Sequence, residues 1–429
     1  MSTGLIVLLC GFAGLALARV PIAVSMLVSG FLYLAITGQD LGIVTDQVMN
    51  SLYGSYVLLA VPMFILAANI MTISSIADRL FKAAHAVVGG LPGGLGHVTV
   101  LTSMLFSSMS GSALADAAGP NLIALKMMRD VGGFRPGFAT ALTAAAAVIA
   151  PIIPPSVPMI LYALNSGTSV GALFLGGIVP GLIMGFALMI GLALIAKRSN
   201  LPRGEHIARS ELGPILLRAI IPMSIPVVLL GGIWTGVFTP TEAAAVAAVY
   251  SLAIGVLVYR AITWASLWGA IVESMRTSSS VMLLIAGAFI MNYAITAERL
   301  DHVLAAWVQG QGFSKLEFLL MINIVFLALG CLIDTGTLIL VFVPMLLPTV
   351  LALGINPVHF GVLMTINIMI GLITPPFGML LFTLSKLGEV PLRAVIAEVW
   401  PFVGILIVVL MLVTYVPATV LWLPTYFGF

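Results

Sequence analysis

The chain has 429 residues, 61% of them hydrophobic and 7% charged, and a mean hydropathy of +1.21, the composition of a polytopic membrane protein. A formal net charge of +2 excludes a basic nucleic-acid-binding face. The five scattered histidines, with no HExxH or Cys/His spacing, give no zinc site, and Cys10 and Cys331 lie in apolar runs as packing residues rather than a disulfide.

Apolar segments of about spanning length run at roughly Leu5–Ile36, Tyr53–Met71, His97–Ser112, Phe138–Leu164, Gly171–Ala196, Ile215–Ile233, Ala243–Tyr259, Val281–Ile295, Phe318–Ile333, Leu338–Leu353, Phe360–Leu384 and Pro401–Leu423. They predict about ten to twelve elements, mostly helical, because a helix satisfies its own backbone groups in lipid. The first carries Arg19 and Pro21 and is expected to bend or break there. With no charged residue before Arg19, it does not read as a cleaved signal peptide. The most polar stretch, Lys197 to Arg218, holds Lys197, Arg198, Arg203, Arg209 and Arg218 against Glu205 and Glu211. The positive-inside rule makes it cytoplasmic, and its central position makes it the link between two halves. Beyond it, Glu242 after Thr239-Pro240-Thr241 reads as a helix-cap carboxylate, and Glu273 and Arg276, flanking Thr277–Ser280, as interfacial.

The halves resemble each other. Ala77-Asp78-Arg79-Leu80 matches Ala297-Glu298-Arg299-Leu300, Ser110-Gly111-Ser112 matches Thr335-Gly336-Thr337, and Pro136 matches Pro357, in order and at nearly constant offset. Residues 1–210 and 211–429 are therefore expected to be two repeats. Lys126, Arg129 and Arg135 follow the first Ser-Gly-Ser element, whereas Ala352 to His359 contains no lysine or arginine, so charge bias predicts inverted topology.

Each half carries a proline pair deep in apolar sequence, Pro154-Pro155 and Pro375-Pro376, at the same distance from Pro136 and Pro357. They predict broken helices at about 137–164 and 358–385. Re-entrant hairpins are expected at about 95–126, with its tip at Ser110–Ser112, and at about 316–353, with its tip at Asp334–Thr337. Paired broken helices in corresponding places point to the site of a secondary transporter. A cation such as sodium prefers oxygen ligands, as the hard cations calcium and magnesium do. Candidate donors are Ser110, Ser112, Thr335 and Thr337 beside Gly111 and Gly336, together with Asp334 and Thr374. Proline lacks an N–H, so Pro154 is expected to free the carbonyl of Ala150, and Pro375 that of Gly371. Helix starts beyond the breaks favour an anion, which makes Ser156 and Gly378 candidate substrate contacts, with Asp116 as a third candidate or a helix cap. Ser103 and Ser107 read as close-packing residues. No lysine follows a glycine, so there is no P-loop, and the absence of Gly-x-Gly-Asp argues against an aspartyl protease built on Asp116 and Asp334.

The runs VPIAVSMLVSG (Val20–Gly30), SGSALADAAGP (Ser110–Pro120), IIPPSVPMILYA (Ile152–Ala163) and ITPPFGMLLF (Ile373–Phe382) resemble the large membrane subunit of tripartite ATP-independent periplasmic (TRAP) transporters over essentially the whole chain. The resemblance implies an all-α protein of the bacterial inner membrane, built from two inverted repeats, that imports organic acids with sodium by an elevator motion. It further implies a separate small four-helix membrane subunit and a periplasmic substrate-binding protein as partners, with sodium at Ser110–Ser112, Pro154–Ser156, Asp334–Thr337 and Gly371–Pro375. C4-dicarboxylates, sialic or other sugar acids and keto acids all remain open as substrates. The alternative is a single-component sodium-coupled carboxylate symporter or exchanger of the same broken-helix type.

Overall fold

The computed structural model describes residues 2–199, 201–202, 204 and 209–429. Arg203 and Glu205 of the basic link lie outside the described residues. Among those described there is no β-strand, and seven helical stretches are long and apolar enough to cross a membrane. The other expected spans are shorter, because four of them are hairpin arms or halves of broken helices.

The first expected span is two helices, α1 (Thr3–Leu17) and α2 (Ile22–Thr37). Arg19 turns the chain with φ of 65°, and a Cβ on Gly4 would lie 2.7 Å from Thr37 Cγ2. The start of α1 thus meets the end of α2 in an antiparallel pair. Helices α3 (Gly42–Gly54) and α4 (Ala60–Ile73) follow, then α5 (Ile76–Val88). At 13 residues, about 20 Å, α5 is too short to span. Next come α6 (Gly94–Ser110), α7 (Ala113–Ala118), α8 (Pro120–Asp130), α9 (Pro136–Ala147), α10 (Val157–Ser166) and the long α11 (Val170–Ser199). The second half contains α12 (Arg209–Trp234), α13 (Pro240–Ala253), α14 (Trp264–Ala297), the short α15 (Leu300–Gly310), α16 (Lys315–Gly330), α17 (Thr335–Ala352), α18 (Pro357–Gly371), α19 (Met379–Leu387), α20 (Leu392–Tyr415) and α21 (Ala418–Tyr426). Glu242 completes a capping box with Thr239 at the start of α13, as the sequence led us to expect.

Packing sorts the helices into two groups that each draw on both halves of the sequence. One contains α1–α4 with α12–α14; the other contains α6–α11 with α16–α21. The short amphipathic helices α5 and α15 touch both groups, and each is preceded by a residue in the left-handed region, Ser75 (φ 60°) and Arg299 (φ 53°).

The half-helices α9 and α18 lie at the centre of the second group. Nearly every residue of each is buried, as expected of helices apolar on all faces. The alanine run Ala144–Ala147 gives α9 a thin profile that lets neighbours approach. Both pack along α20, at different ends. Arg135, just before α9, pairs with Glu398 at 2.8 Å, and a Cβ on Gly137 would lie 2.5 Å from the Ala394 carbonyl oxygen. His359, at the start of α18, has its Nε2 2.9 Å from the carbonyl oxygen of Val413. Glu398 and Val413 are about 22 Å apart along α20.

Candidate functional site

Two hairpins define the site. In the first, α6 runs in to Ser110 and Gly111 turns the chain with φ of 62°. Ser112 then caps α7, its Oγ accepting from the Ala115 N–H at 3.4 Å. The chain returns through α8, and a Cβ on Gly132 would lie 2.7 Å from Leu95 Cδ1, so the hairpin's two ends meet. In the second, α16 runs in and α17 runs out, and the Lys315 ammonium donates to the Gly354 carbonyl at 3.2 Å. Asp334 caps α17. Its Oδ2 accepts from the Thr337 N–H at 3.0 Å, and its Oδ1 accepts from the Thr337 hydroxyl. The carboxylate therefore holds the threonine in place.

Each hairpin seats on the broken helix of its own half, through glycine. A side chain on Gly111 would collide with the Pro155 carbonyl, and a Cβ on Gly371 would lie 2.7 Å from Cα of Gly330, at the end of α16. Both proline pairs contain a cis peptide bond. At the first break, the carbonyl of Ala150 has no hydrogen-bond donor among the described residues, as expected from Pro154. Ser156 caps α10, accepting from the Met159 N–H at 3.3 Å and donating to the Pro151 carbonyl. The second break differs from expectation. The Gly371 carbonyl accepts from the Thr374 N–H at 3.0 Å, and the Thr374 hydroxyl donates to the Ile370 carbonyl at 2.7 Å. The chain tightens into an i→i+3 turn there, which satisfies the carbonyl that Pro375 leaves free.

A cavity of about 270 Å³ lies where the hairpins, the breaks and helices α4 and α14 meet. Four helix starts reach it: Ala113 of α7, Val157 of α10, Thr335 of α17 and Met379 of α19. First-turn N–H groups have no intrahelical acceptor, so the wall presents the positive ends of four helix dipoles. No lysine, arginine or histidine lines it, and its polar side chains are Ser112, Thr277, Asp334 and Thr335. Of the predicted residues, Gly111, Ser112, Asp334, Thr335 and Gly336 come together on this wall. Ser156 and Gly378 stand one residue behind it, before Val157 and Met379. Ser110, Ala150, Pro154, Thr337, Gly371 and Thr374 lie outside the lining.

Asp116 belongs to neither the wall nor a cap. It is fully buried within α7, and its Oδ2 accepts from the Ser103 hydroxyl at 2.8 Å and the Asn121 amide at 2.7 Å. This triad ties α6, α7 and α8 together, so Ser103 is a polar anchor rather than a packing residue, and the geometry corrects both expectations. A second buried cluster was not anticipated from the sequence. Asn323 on α16 donates to Thr414 on α20 at 2.8 Å, and Asn367 on α18 donates to Asn323 Oδ1 at 2.8 Å. Two asparagines inside apolar runs are the signal that would have found it, since polar side chains in membrane helices bond to neighbouring helices. Thr277, in the polar run that Glu273 and Arg276 flank, also reaches the cavity from α14; the sequence alone assigned it no role.

Hairpin tips and helix breaks meeting around one cavity, in a chain with seven helical stretches long and apolar enough to span, define a multi-pass membrane transport protein. The family described as Tripartite ATP-independent periplasmic transporter, DctM component, matches residues 9–419. The Vibrio cholerae sialic acid TRAP transporter large permease protein SiaM is 38% identical, covering 97% of this chain and 97% of that one. The Pseudomonas aeruginosa C4-dicarboxylate TRAP transporter large permease protein DctM is 39% identical over 87% of each, and the Escherichia coli 2,3-diketo-L-gulonate TRAP transporter large permease protein YiaN is 36% identical over 96% of this chain and 97% of that one. In fold, the chain is similar to the solved structure of the Alcanivorax borkumensis YdaH transporter, with a TM-score of 0.63 at 14% identity over 90% of each. The chain belongs to the DctM family: it is the large, multi-pass permease component of a TRAP transporter of the bacterial inner membrane, and not an enzyme.

Proposed function

We propose that this permease imports an organic carboxylate coupled to sodium, by an elevator motion of the hairpin-bearing helices. The observation that carries the reading is the convergence of four helix starts on a cavity with no cationic side chain. Such a wall binds an anion through backbone N–H groups. The sialic acid, C4-dicarboxylate and diketogulonate relatives are named for substrates that all bear a carboxylate.

For sodium, the first tip and break supply the fitting oxygens. The Ser110 hydroxyl is buried without a partner, and the Ala150 carbonyl is likewise free; with Gly111, Ser112 and Pro154 around them they would hold a hard cation. A second ion would use Asp334, Thr335, Gly336 and Thr337, with Thr374 and the Gly371 carbonyl contributing only if its turn opens. The bound ion supplies driving force, about 2.3 kcal/mol per net charge per 100 mV. An inverted repeat is supported by α9 and α18 meeting opposite ends of α20. The elevator is supported by a cavity at the seam between the two helix groups, which α5 and α15 bridge. In the tripartite assembly, the partners would be a small four-helix membrane subunit and a periplasmic binding protein that delivers the substrate.

The test is uptake into proteoliposomes under imposed gradients. Uptake is expected only when sodium and both partners are present. Undiminished uptake in sodium-free, proton-driven conditions would refute the coupling, and full-rate uptake by the chain alone would establish a single-component symporter instead.

A further inference from the structure

The α5–α12 face carries a cavity of about 330 Å³ that the transport site does not use. Arg79 and Lys82 line it from α5 and Arg218 from α12, with Asp78 as its one carboxylate and Ser75 and Ile215 completing the wall. The Arg79 guanidinium lies 3.9 Å from the centroid of the Tyr259 ring, which holds it in place. Its Nε is buried without an acceptor. Among the described residues, none of the three cations forms an ion pair. Three cations against one carboxylate, unpaired and gathered from two helices, make a receptor for a phosphate-like anion.

The same two helices, with Leu101 and Leu105 of α6, form an apolar groove of about 570 Å³ that includes Leu80, Val87, Ile220 and Val227. Val87, Ile220 and Val227 are 61%, 60% and 69% exposed. A free phosphate has no use for such a groove, whereas the acyl chains of a lipid do. The site's sidedness also fits. Arg218, which lines the pocket, closes the basic stretch Lys197 to Arg218 that charge bias assigns to the cytoplasm. The corresponding helix α15 carries Asp301 and His302 in its first turn and no lysine. Arg299, just before α15, is the counterpart of Arg79, but Lys82 has no lysine counterpart within α15, and anionic lipid in the cytoplasmic leaflet attracts clusters such as the one on α5 and α12.

We propose that α5 and α12 form a binding site for an anionic glycerophospholipid of the cytoplasmic leaflet, its phosphate held by Arg79, Lys82 and Arg218 and its acyl chains lying in the adjoining groove. Because α5 bridges the two helix groups, a lipid seated there would bear on the element that links them.

The experiment uses the full-length chain co-purified with its small subunit and incubated with equimolar phosphatidylglycerol and phosphatidylethanolamine, retained lipid being counted by native mass spectrometry. Phosphatidylglycerol should be retained in preference. Retention should fall about fivefold for each of Arg79→Gln, Lys82→Gln and Arg218→Gln, and the preference should vanish in the triple variant. A control of equal charge change, Lys126→Gln with Lys386→Gln and Arg393→Gln, should keep the preference. Should the triple variant fail to fold, the single variants carry the reading. Equal retention of the two lipids by the unaltered protein, or an unchanged preference in the variants, would overturn the proposal. So would inorganic phosphate displacing the lipid at matched concentration, which would mark a free-phosphate site. Lipid retained only when the small subunit is absent would overturn it too, showing that this face is covered by protein.

Discussion

Replacing Gly371 by alanine tests whether backbone contact between hairpin and broken helix holds the site together. A Cβ there would lie 2.7 Å from both Cα and the carbonyl carbon of Gly330. Neither atom can rotate away, and carbon atoms pack best at about 3.5–4.0 Å, so α16 and α18 must part by about 1 Å. Overpacking of this kind costs about 1–3 kcal/mol. Alanine's better helix propensity returns at most about 1 kcal/mol, and less at the last residue of α18. The net expectation for Gly371→Ala is a loss of about 1–2 kcal/mol. In Gly330→Ala the closest approach is 3.2 Å, again to backbone, so that variant should lose less than Gly371→Ala. Gly404→Ala, in mid-α20 with nothing within 4 Å of the added Cβ, should match or exceed the unaltered protein. Thermal unfolding of the detergent-purified variants should therefore rank Gly404→Ala above Gly330→Ala above Gly371→Ala. Sodium-dependent uptake should fall most steeply in the last, because a displacement of about 1 Å in a site can cost about a hundredfold in rate. A Gly371→Ala protein as stable and active as the other two would refute the seating argument.

Asp116→Ala should destabilise the first hairpin by about 1–3 kcal/mol for each buried donor left unpaired while leaving the substrate KM unchanged; a raised KM at normal stability would put Asp116 back at the cavity. Asp334→Ala should lose about 1 kcal/mol of helix-cap stability and Asp334→Asn much less, whereas Asp334→Asn and Thr337→Ala should both weaken sodium dependence in uptake assays; unchanged sodium affinity in both would make the pair purely structural. Thr277→Val, close to isosteric, should raise KM without moving the unfolding midpoint, and an unaltered KM would remove Thr277 from the substrate path. Cysteines at Lys126 and Asn356, in a background lacking Cys10 and Cys331, should react with impermeant reagent from opposite sides of the membrane, and labelling from one side would defeat inversion.

The tips and breaks were legible because glycine, proline and hydroxyl residues rarely interrupt apolar runs without a backbone reason. Gly111 and the proline pairs signal turns and breaks by local chemistry alone, and they lie where that chemistry requires; Asp334 was legible as a tip residue, but its capping of α17 was not. The antiparallel pairing of α1 and α2 was not legible, since Arg19 and Pro21 mark an interruption without fixing how sharply the chain reverses. Gly371 shows the limit of reasoning from a missing donor: Pro375 removes one N–H, but a tighter turn brings the Thr374 N–H to the same oxygen. Asp116 shows another. A carboxylate six residues after Ser110 looks like part of a tip, and only the return of α8 reveals that Ser103 and Asn121 already occupy it.

The absence of cations from the cavity wall has a consequence for how the three components divide their work. A helix start contributes about 0.3–1 kcal/mol to a nearby anion, and up to about 2 kcal/mol when partly buried. Four of them, one already capped by the Asp334 carboxylate, give at most a few kcal/mol, no more than the scale of a millimolar dissociation constant, about 4 kcal/mol. A buried arginine paired with the carboxylate would bind far more tightly, and truncation of such desolvated pairs mainly changes the off-rate. A wall of dipoles therefore suits a site that must let its cargo go on the inner side, and it is poorly suited to extracting a scarce acid from outside unaided. Under the proposed function, capture and selectivity would then fall to the soluble partner. Under the proposed coupling, the permease's own chemistry would set direction, through a cation bound at the first tip and break.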